Sequence, residues 1–464
     1  MTSVLQRKFF WIGLSSALFL LIALQFTNAD TLGTCTITAG NPTDTCVYLP
    51  IAIKSNGATE PQLTLQTQWG NLEENKVLTG DIFAIWWHKN YDLEADAAKL
   101  ITDLKQVRQD AINELGLADP PNIGQGFYYN VYLHNPEPGS DNYPSGWGNG
   151  QGTDDFGLPY LTLPLGAHED LYNVSHEGFH IFQYSATSPG FEYSGDSAWY
   201  IEASANWYAS RVHYQTSVEA FLEAAAIYAN PYQTLWHSWD NGPTGDPQNW
   251  QRLVHQYAMT TYLFYLSEVE NVPTNLIVDG FFAGTKASPQ QYLYQNIPNL
   301  RTYFGNWAAH NVAEFDYMSR AQWQRALDEL ANVGDQNDIN PYANTLSAAG
   351  TNGSWFQPAT NRTPRPWSYN VIRLQAPVTA RYQFEFDGDA VGSEGVTSFF
   401  EVRLVVEQEN GYVLHTMPLT DNTDGTFNLD VTAQDKTIYL VIAAVPEHFS
   451  GNQLFPYKVR IGHE

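Results

Sequence analysis

Cysteine is nearly absent. The chain has two in 464 residues, Cys35 and Cys46, both inside "CTITAGNPTDTC". They could close one short disulfide, and no thiolate nucleophile exists further along. Basic charge is scarce too. Against 49 Asp and Glu stand 22 Lys and Arg, a formal charge of −27. Such a surface repels phosphate backbones and anionic lipid, which excludes nucleic acid as a partner and any extensive membrane contact beyond an N-terminal anchor. Past the first 30 residues no apolar run is long enough to span a bilayer. There is no fixed-period repeat, no phosphate-binding glycine loop and no G-x-S-x-G elbow.

What is present is apolar bulk: 43% hydrophobic and 14% aromatic residues, enough for a large core. At the start, Arg7 and Lys8 precede "FFWIGLSSALFLLIALQF" and then "TNAD". That order of basic, apolar and small residues is an export signal over residues 1–29 with a cut after Ala29, although the run is long enough to stay as an anchor. A secreted, extracellular or cell-surface protein is expected. Residues 30–60 read as a head or linker holding the candidate disulfide.

From residue 61 to about 340 strands give way to helices. Strands are expected at 62–69, 81–89, 126–134 and 158–165, with an amphipathic helix at 93–116 and a Gly- and Asp-rich loop at 136–157. The prolines of "LPYLTLPL" suit an edge strand. Helices are expected around 171–185, 196–213, 217–229, 249–269 and 319–330. Residues 341–367, rich in Asn, Gly, Pro and Thr, form a linker. From 368 to 464 the period drops to two with Gly, Asn and Asp turns between runs, the pattern of an antiparallel β-sandwich. The fold class is therefore α+β: a catalytic domain whose second half is largely helical, then a C-terminal β-sandwich.

The chemistry centres on "YNVSHEGFHIFQY". His176 and His180 lie four apart, so on a helix both imidazoles share one face and reach one ion. Glu177, next to the first, can take a proton from a metal-bound water. A zinc site of this kind needs a third protein ligand. Glu202, in "SAWYIEASANWYAS", supplies one on the following helix, among aromatic and small residues where an unpaired carboxylate is costly.

With these motifs the chain resembles the gluzincins, the glutamate-ligand branch of the thermolysin-like zinc metallopeptidases. "GLPYLTLPLGAHEDLYNVSHEGFHIFQY" and "WYIEASANW" are most similar to a little-characterised family of exported bacterial peptidases. The resemblance covers residues 80 to 330. It implies a zincin-like domain, Zn²⁺ held by His176, His180 and Glu202, Glu177 as general base, and a protein or peptide as substrate. Asn206, one turn after Glu202, matches the position whose side chain supports the first histidine. An edge strand before the motif helix would pair with substrate, and "LPYLTLPL" is in the right order for it. The closing "FPYKVRI" resembles the last strand of β domains appended to exported bacterial peptidases.

An oxyanion donor is also needed. Tyr257 is the favoured candidate, with His237, His255 and His310 as alternatives. No G-x-M-E-N motif marks a free substrate N-terminus, which tilts the reading toward an endopeptidase. Asp154 and Asp155, or Asp387 and Asp389, offer oxygen ligands for Ca²⁺, though solvated Asp-rich turns look the same. The rival reading is a non-enzymatic cell-surface or carbohydrate-binding protein, its 14 tryptophans serving sugar stacking and its histidine pair structural or inactive. The pattern fixes no oligomeric state.

Overall fold

In the computed structural model, residues 63–69, 72–134, 149–213, 224–241, 249–318, 343–347 and 353–464 are described. The signal segment, the cysteine pair and the helix expected at 319–330 lie outside the described residues. Most of 341–367 is described, and it corrects the linker reading in part: Asn344–Ser347 and Trp355–Phe356 are strands of the C-terminal sheets. Residues Pro61–Glu464 group as one unit.

The first sheet has the order β1-β2-β3-β5-β4. Its strands are β1 (Asn75–Gly80), β2 (Phe83–His88), β3 (Tyr129–His134), β4 (Gly150–Thr153) and β5 (Pro159–Pro164). β1 runs antiparallel to β2, while β2, β3 and β5 run parallel and β4 returns antiparallel along β5. β3 is buried along its whole length, as a central parallel strand must be when both faces are covered. The edge next to β5 is β4. This corrects the expectation that "LPYLTLPL" is the edge: its prolines sit at the two ends of β5, where they remove few ladder bonds.

Helix α1 (Glu94–Gln109) leans on this sheet and on α2 (Leu171–Gln183). It buries Ala97, Leu100, Leu104 and Val107, spaced at helical intervals. α2 starts at Asp170, whose side chain accepts from the Asn173 N–H. Gly178 lets it approach α1 closely: a Cβ there would stand 2.9 Å from Leu104 Cδ2. Helix α3 (Ala198–Val212) is buried from Ala198 through Ser210, so it is a central helix packed on all sides. Trp199 and Trp207 are fully buried on it, with indole N–H bonds to Gln290 and Ser267. Burial of each such ring is worth roughly 1.5–3 kcal/mol or more. Beyond it come α4 (Asn249–Ala258) and α5 (Leu300–Val312). The helix expected at 249–269 is formed, interrupted only at Met259: α4 is followed by an α-helical stretch at Thr260–Phe264 that passes into a π-helical turn at Tyr265–Val269.

The C-terminal region holds two more five-stranded sheets, β11-β10-β14-β8-β6 and β12-β13-β9-β15-β7. The strands are β6 (Asn344–Ser347), β7 (Trp355–Phe356), β8 (Ser368–Gln375), β9 (Ala380–Gly388), β10 (Phe400–Gln408), β11 (Gly411–Met417), β12 (Leu419–Thr420), β13 (Asp424–Val431), β14 (Asp435–Ala444) and β15 (Tyr457–His463). All pairs are antiparallel except β6 with β8. The period-two pattern explains the packing of β14. Ile438, Leu440 and Ile442 join a core shared by both sheets. The alternate Tyr439, Val441 and Ala443 join the core of the helical half. Both faces are covered, hence the near-unbroken apolar run "TIYLVIAAV". Arg403 of β10 is buried against α5, bonded to Glu401 (2.8 Å) and Asn306 (3.0 Å).

Candidate metal centre

α2 and α3 pack side by side and bring three donors together. His176 Nε2 and His180 Nε2 are 3.0 Å apart, and both face Glu202 Oε2 at 3.3 and 3.4 Å. Two zinc bonds of 2.0–2.2 Å at a tetrahedral angle separate their donors by about 3.3 Å, so the spacing fits a divalent ion. Glu202 Oε2 is buried and has no hydrogen-bond partner, which is costly for a carboxylate oxygen unless a cation stands beside it. Among the described residues this is the one group of three or more His, Cys, Asp or Glu side chains disposed to hold a metal.

The surroundings set the state of each donor. Burial alone would raise the Glu202 carboxyl, but the imidazoles of His180 and His176 outweigh it and hold the group well below the ordinary range. His180 is shifted the other way: burial would lower it, and Glu202 with help from Glu177 raises it. Glu177 is partly exposed, yet loss of water around its carboxyl raises it, the two imidazoles opposing. A carboxyl raised by burial beside a candidate metal cluster marks a candidate functional group.

Gln183 fixes His180. Its amide Nε2 donates to Ser204 Oγ (2.7 Å) and Ile201 O (3.1 Å), so its Oε1 faces His180 Nδ1 at 2.6 Å and accepts from it. Turning the amide over would set its oxygen against the Ile201 carbonyl. His180 therefore carries its proton on Nδ1 and offers the Nε2 lone pair to the centre. The support expected from Asn206 is not made. His176 Nδ1 is buried without a hydrogen-bond partner, and Asn206 is simply buried on α3.

Tyr257, on α4, lies beside the centre. Its ring lies 5.9 Å from that of His176, and burial followed by the charges of Glu202 and Glu177 raises its hydroxyl well above the ordinary value. The alternative donors have other partners: His255 Nδ1 lies 3.0 Å from the His237 carbonyl, and His310 Nδ1 lies 2.6 Å from Asp316.

No protein-family model matches the chain, and no curated protein matches it. Among solved structures, one similar chain is BtGH115A, a family GH115 4-O-methyl-alpha-glucuronidase with specificity for decorated arabinogalactans. Identity is 10% over 75% of this chain and 54% of that one, at a TM-score of 0.13. The chain thus spans about half the length of that structure, and so slight a likeness carries no argument.

Three further residues escaped the motif reading. Tyr184, directly after Gln183, places its ring 5.6 Å from His180 and is 51% exposed. Tyr193 accepts from Gln256 Nε2 at 3.1 Å. Gln151 of β4 donates to the backbone carbonyl of Glu177 (2.9 Å) and ties the edge strand to the motif helix. Gln183 and Tyr184 stand one turn beyond His180 and were legible from spacing; Tyr193 and Gln151 come from loop and strand and were not.

Several oxygens of the calcium candidates bond to protein partners, although Asp154 Oδ2 is buried without a hydrogen-bond partner. Asp154 Oδ1 accepts from the Phe156 and Leu158 N–H groups, both at 2.9 Å, and Asp155 exchanges bonds with Gln68. Asp387 pairs with Lys458 at 2.8 Å, and Asp389 is exposed.

Proposed function

We propose that the chain is an exported zinc-dependent hydrolase of the gluzincin kind, cleaving peptide bonds as an endopeptidase, with a zincin-like first domain and a C-terminal β-sandwich. The observation that carries this reading is the convergence of His176, His180 and Glu202 beside a partly exposed Glu177 whose carboxyl is raised. His176, His180 and Glu202 would hold Zn²⁺, which when bound supplies an acidified water and a polarised substrate carbonyl. Glu177 would accept a proton from the attacking water as its oxygen adds to the scissile carbonyl carbon, and would return it to the amine nitrogen as the C–N bond breaks. Tyr257 donates from its hydroxyl toward the developing oxyanion; its raised pKa keeps that proton in place at neutral pH. Edge strand β4, tied to Glu177 through Gln151, takes the role first given to β5 in pairing with an extended substrate.

A second reading is favoured by one observation. The ligand residues are nearly sealed, with His176 6%, His180 4% and Glu202 7% exposed. A closed metal with a structural role, in a cell-surface or carbohydrate-binding protein without catalysis, fits that burial. One experiment separates the two. Zinc content and hydrolysis of a mixed peptide library are measured for the wild type and for Glu177→Gln. The hydrolase reading expects about one zinc per chain in both and loss of cleavage by at least a hundredfold in the variant. Zinc without cleavage in the wild type would establish the structural reading, and absence of zinc after loading would sink both.

A further inference from the structure

Glu202 belongs to α3, and the start of that helix is held by the C-terminal region. Gly451, in the loop after β14, donates its N–H to Asp196 Oδ2 (3.0 Å), two residues before α3 begins. The Gly451 carbonyl accepts from the Trp236 indole N–H (3.0 Å), and Asn241 donates to Asp196 Oδ1 (3.1 Å). Gln290, in the helix Pro289–Asn296 and 2% exposed, joins the same parts. Its amide Nε2 donates to the carbonyls of Phe449 (2.8 Å) and Asp196 (3.1 Å), and its Oε1 accepts from the Trp199 indole N–H (3.1 Å). Turned over, the amide would set its oxygen against two carbonyls. Trp199 stands on α3 three residues before Glu202, on the adjoining turn. The loop is itself anchored in the sheets: Phe449 stacks on Trp367 (6.0 Å), whose N–H donates to the Ala444 carbonyl of β14 (2.7 Å).

Resting on the metal centre proposed above, whether catalytic or structural, we infer that the C-terminal sheets are a working part of it. The loop Phe449–Gly451, with Gln290 as a positioning residue, sets the place of α3 and so the reach of Glu202 toward His176 and His180. The two histidines stand on α2, and metal–donor distances hold within about 0.2 Å. Glu202 therefore meets them only while α3 keeps its place along α2. Gln183 fixes the turn that carries Glu202, through Ile201 and Ser204. The loop and Gln290 fix the turn before it. By linkage, whatever the loop adds to metal affinity the metal returns to the loop.

Zinc affinity by chelator competition, and hydrogen–deuterium exchange of the wild type with and without zinc, test this. Gln290→Met conserves volume and removes all three bonds. It should weaken zinc about three- to tenfold, less than the roughly 10–100-fold expected when a group bonded directly to a ligand is lost. Trp236→Phe frees the other side of the loop without touching α3 and should weaken zinc about twofold or more. Tyr382→Phe removes a bond of the same length, from the Val378 N–H (3.0 Å), inside the core of the two sheets, and should leave affinity unchanged. In the wild type, zinc should slow exchange of the Gly451 amide by about the factor that Gln290→Met costs, and leave the hairpin of β12 and β13 as it was. Unchanged affinity in folded Gln290→Met and Trp236→Phe, or exchange at Gly451 that zinc does not slow, overturns the inference. So does equal slowing at Gly451 and the β12–β13 hairpin, since global stabilisation alone would then account for it. Should the variants fail to fold, exchange in the wild type decides alone. No zinc uptake by the wild type overturns the inference together with the metal reading, whereas uptake indifferent to these changes overturns the inference only.

Discussion

Replacing Gln183 by Leu should weaken zinc binding without touching a metal ligand. The side chain is 1% exposed, so Leu conserves volume and apolar packing while removing every polar contact. Three bonds go: the acceptor for His180 Nδ1 at 2.6 Å and the donations to Ser204 and Ile201. The first governs metal affinity. Without it the imidazole is no longer held in the tautomer that points Nε2 at the centre, and its Nδ1–H is left buried and unmet. Loss of such an outer partner costs about 10–100-fold in affinity, or about 1.4–2.7 kcal/mol. Zinc affinity is read by competition with a chromophoric chelator, and far-UV circular dichroism of the apoprotein checks the fold. Gln183→Glu retains the acceptor and should bind zinc at least as well as Gln183→Leu by tenfold. Were Gln183→Leu folded and within twofold of the wild type, the orienting role of this amide would be refuted.

Two further outcomes concern stability. Arg403→Ala leaves Glu401 and Asn306 without their buried cation at the seat of α5 on β10, and should cost about 3–5 kcal/mol in urea unfolding; a loss under 1 kcal/mol would contradict the role given to it. Asp435 accepts from the Thr432 N–H (2.7 Å) and Gln408 (2.8 Å), and although burial opposes it these bonds lower its carboxyl below the ordinary 3.8. A depressed carboxyl stabilises fully above its ordinary value and loses that contribution as pH falls through the lowered one. The gap in urea midpoint between wild type and Asp435→Asn should therefore be constant above pH 5 and close as acid is added; a gap that widens on acidification would reverse the sign of the argument.

The candidate metal triad was legible because its geometry is local. Four residues of helix join His176 to His180, and a lone carboxylate in an apolar helix needs a cation wherever that helix packs. Strands with strong alternation were legible for the same reason, as in β9 and β13, and β14 by its unbroken apolar run. What escaped depends on tertiary placement. β4 consists of Gly150, Gln151, Gly152 and Thr153, with no apolar alternation to mark it. Gly152 is required because the Tyr160 hydroxyl lies where a Cβ would stand, on the partner strand. A pattern of small polar residues reads as a loop, so the edge was assigned one strand too early. β1, "NKVLTG", has two large apolar residues and went unseen. "QLTLQTQW" has the alternation of a strand but makes a single bridge, Thr64 to Phe127, within the described residues. Period-two spacing cannot tell a ladder from one bridge.

The near-sealing of the ligands fits a structural metal and is also compatible with a reactive one. Any low-coordinate zinc site needs its protein donors shielded, since water competing for the imidazoles or the carboxylate would weaken the centre. A closed site is marked by a fourth protein donor, and a reactive one by a direction left open. Among the described residues the group holds three donors. The neighbouring groups are graded in exposure: Glu202 buried, Glu177 and Tyr257 partly exposed, Tyr184 half-exposed against His180. Access therefore rises along the side where Glu177 stands. The hydrolase reading needs a direction left open on that side for water and substrate. Charge, not access, separates the two carboxyl groups: burial would raise both, and the imidazoles of His180 and His176 outweigh it at Glu202 but not at Glu177, a separation that the hydrolase reading uses to tell a base from a ligand.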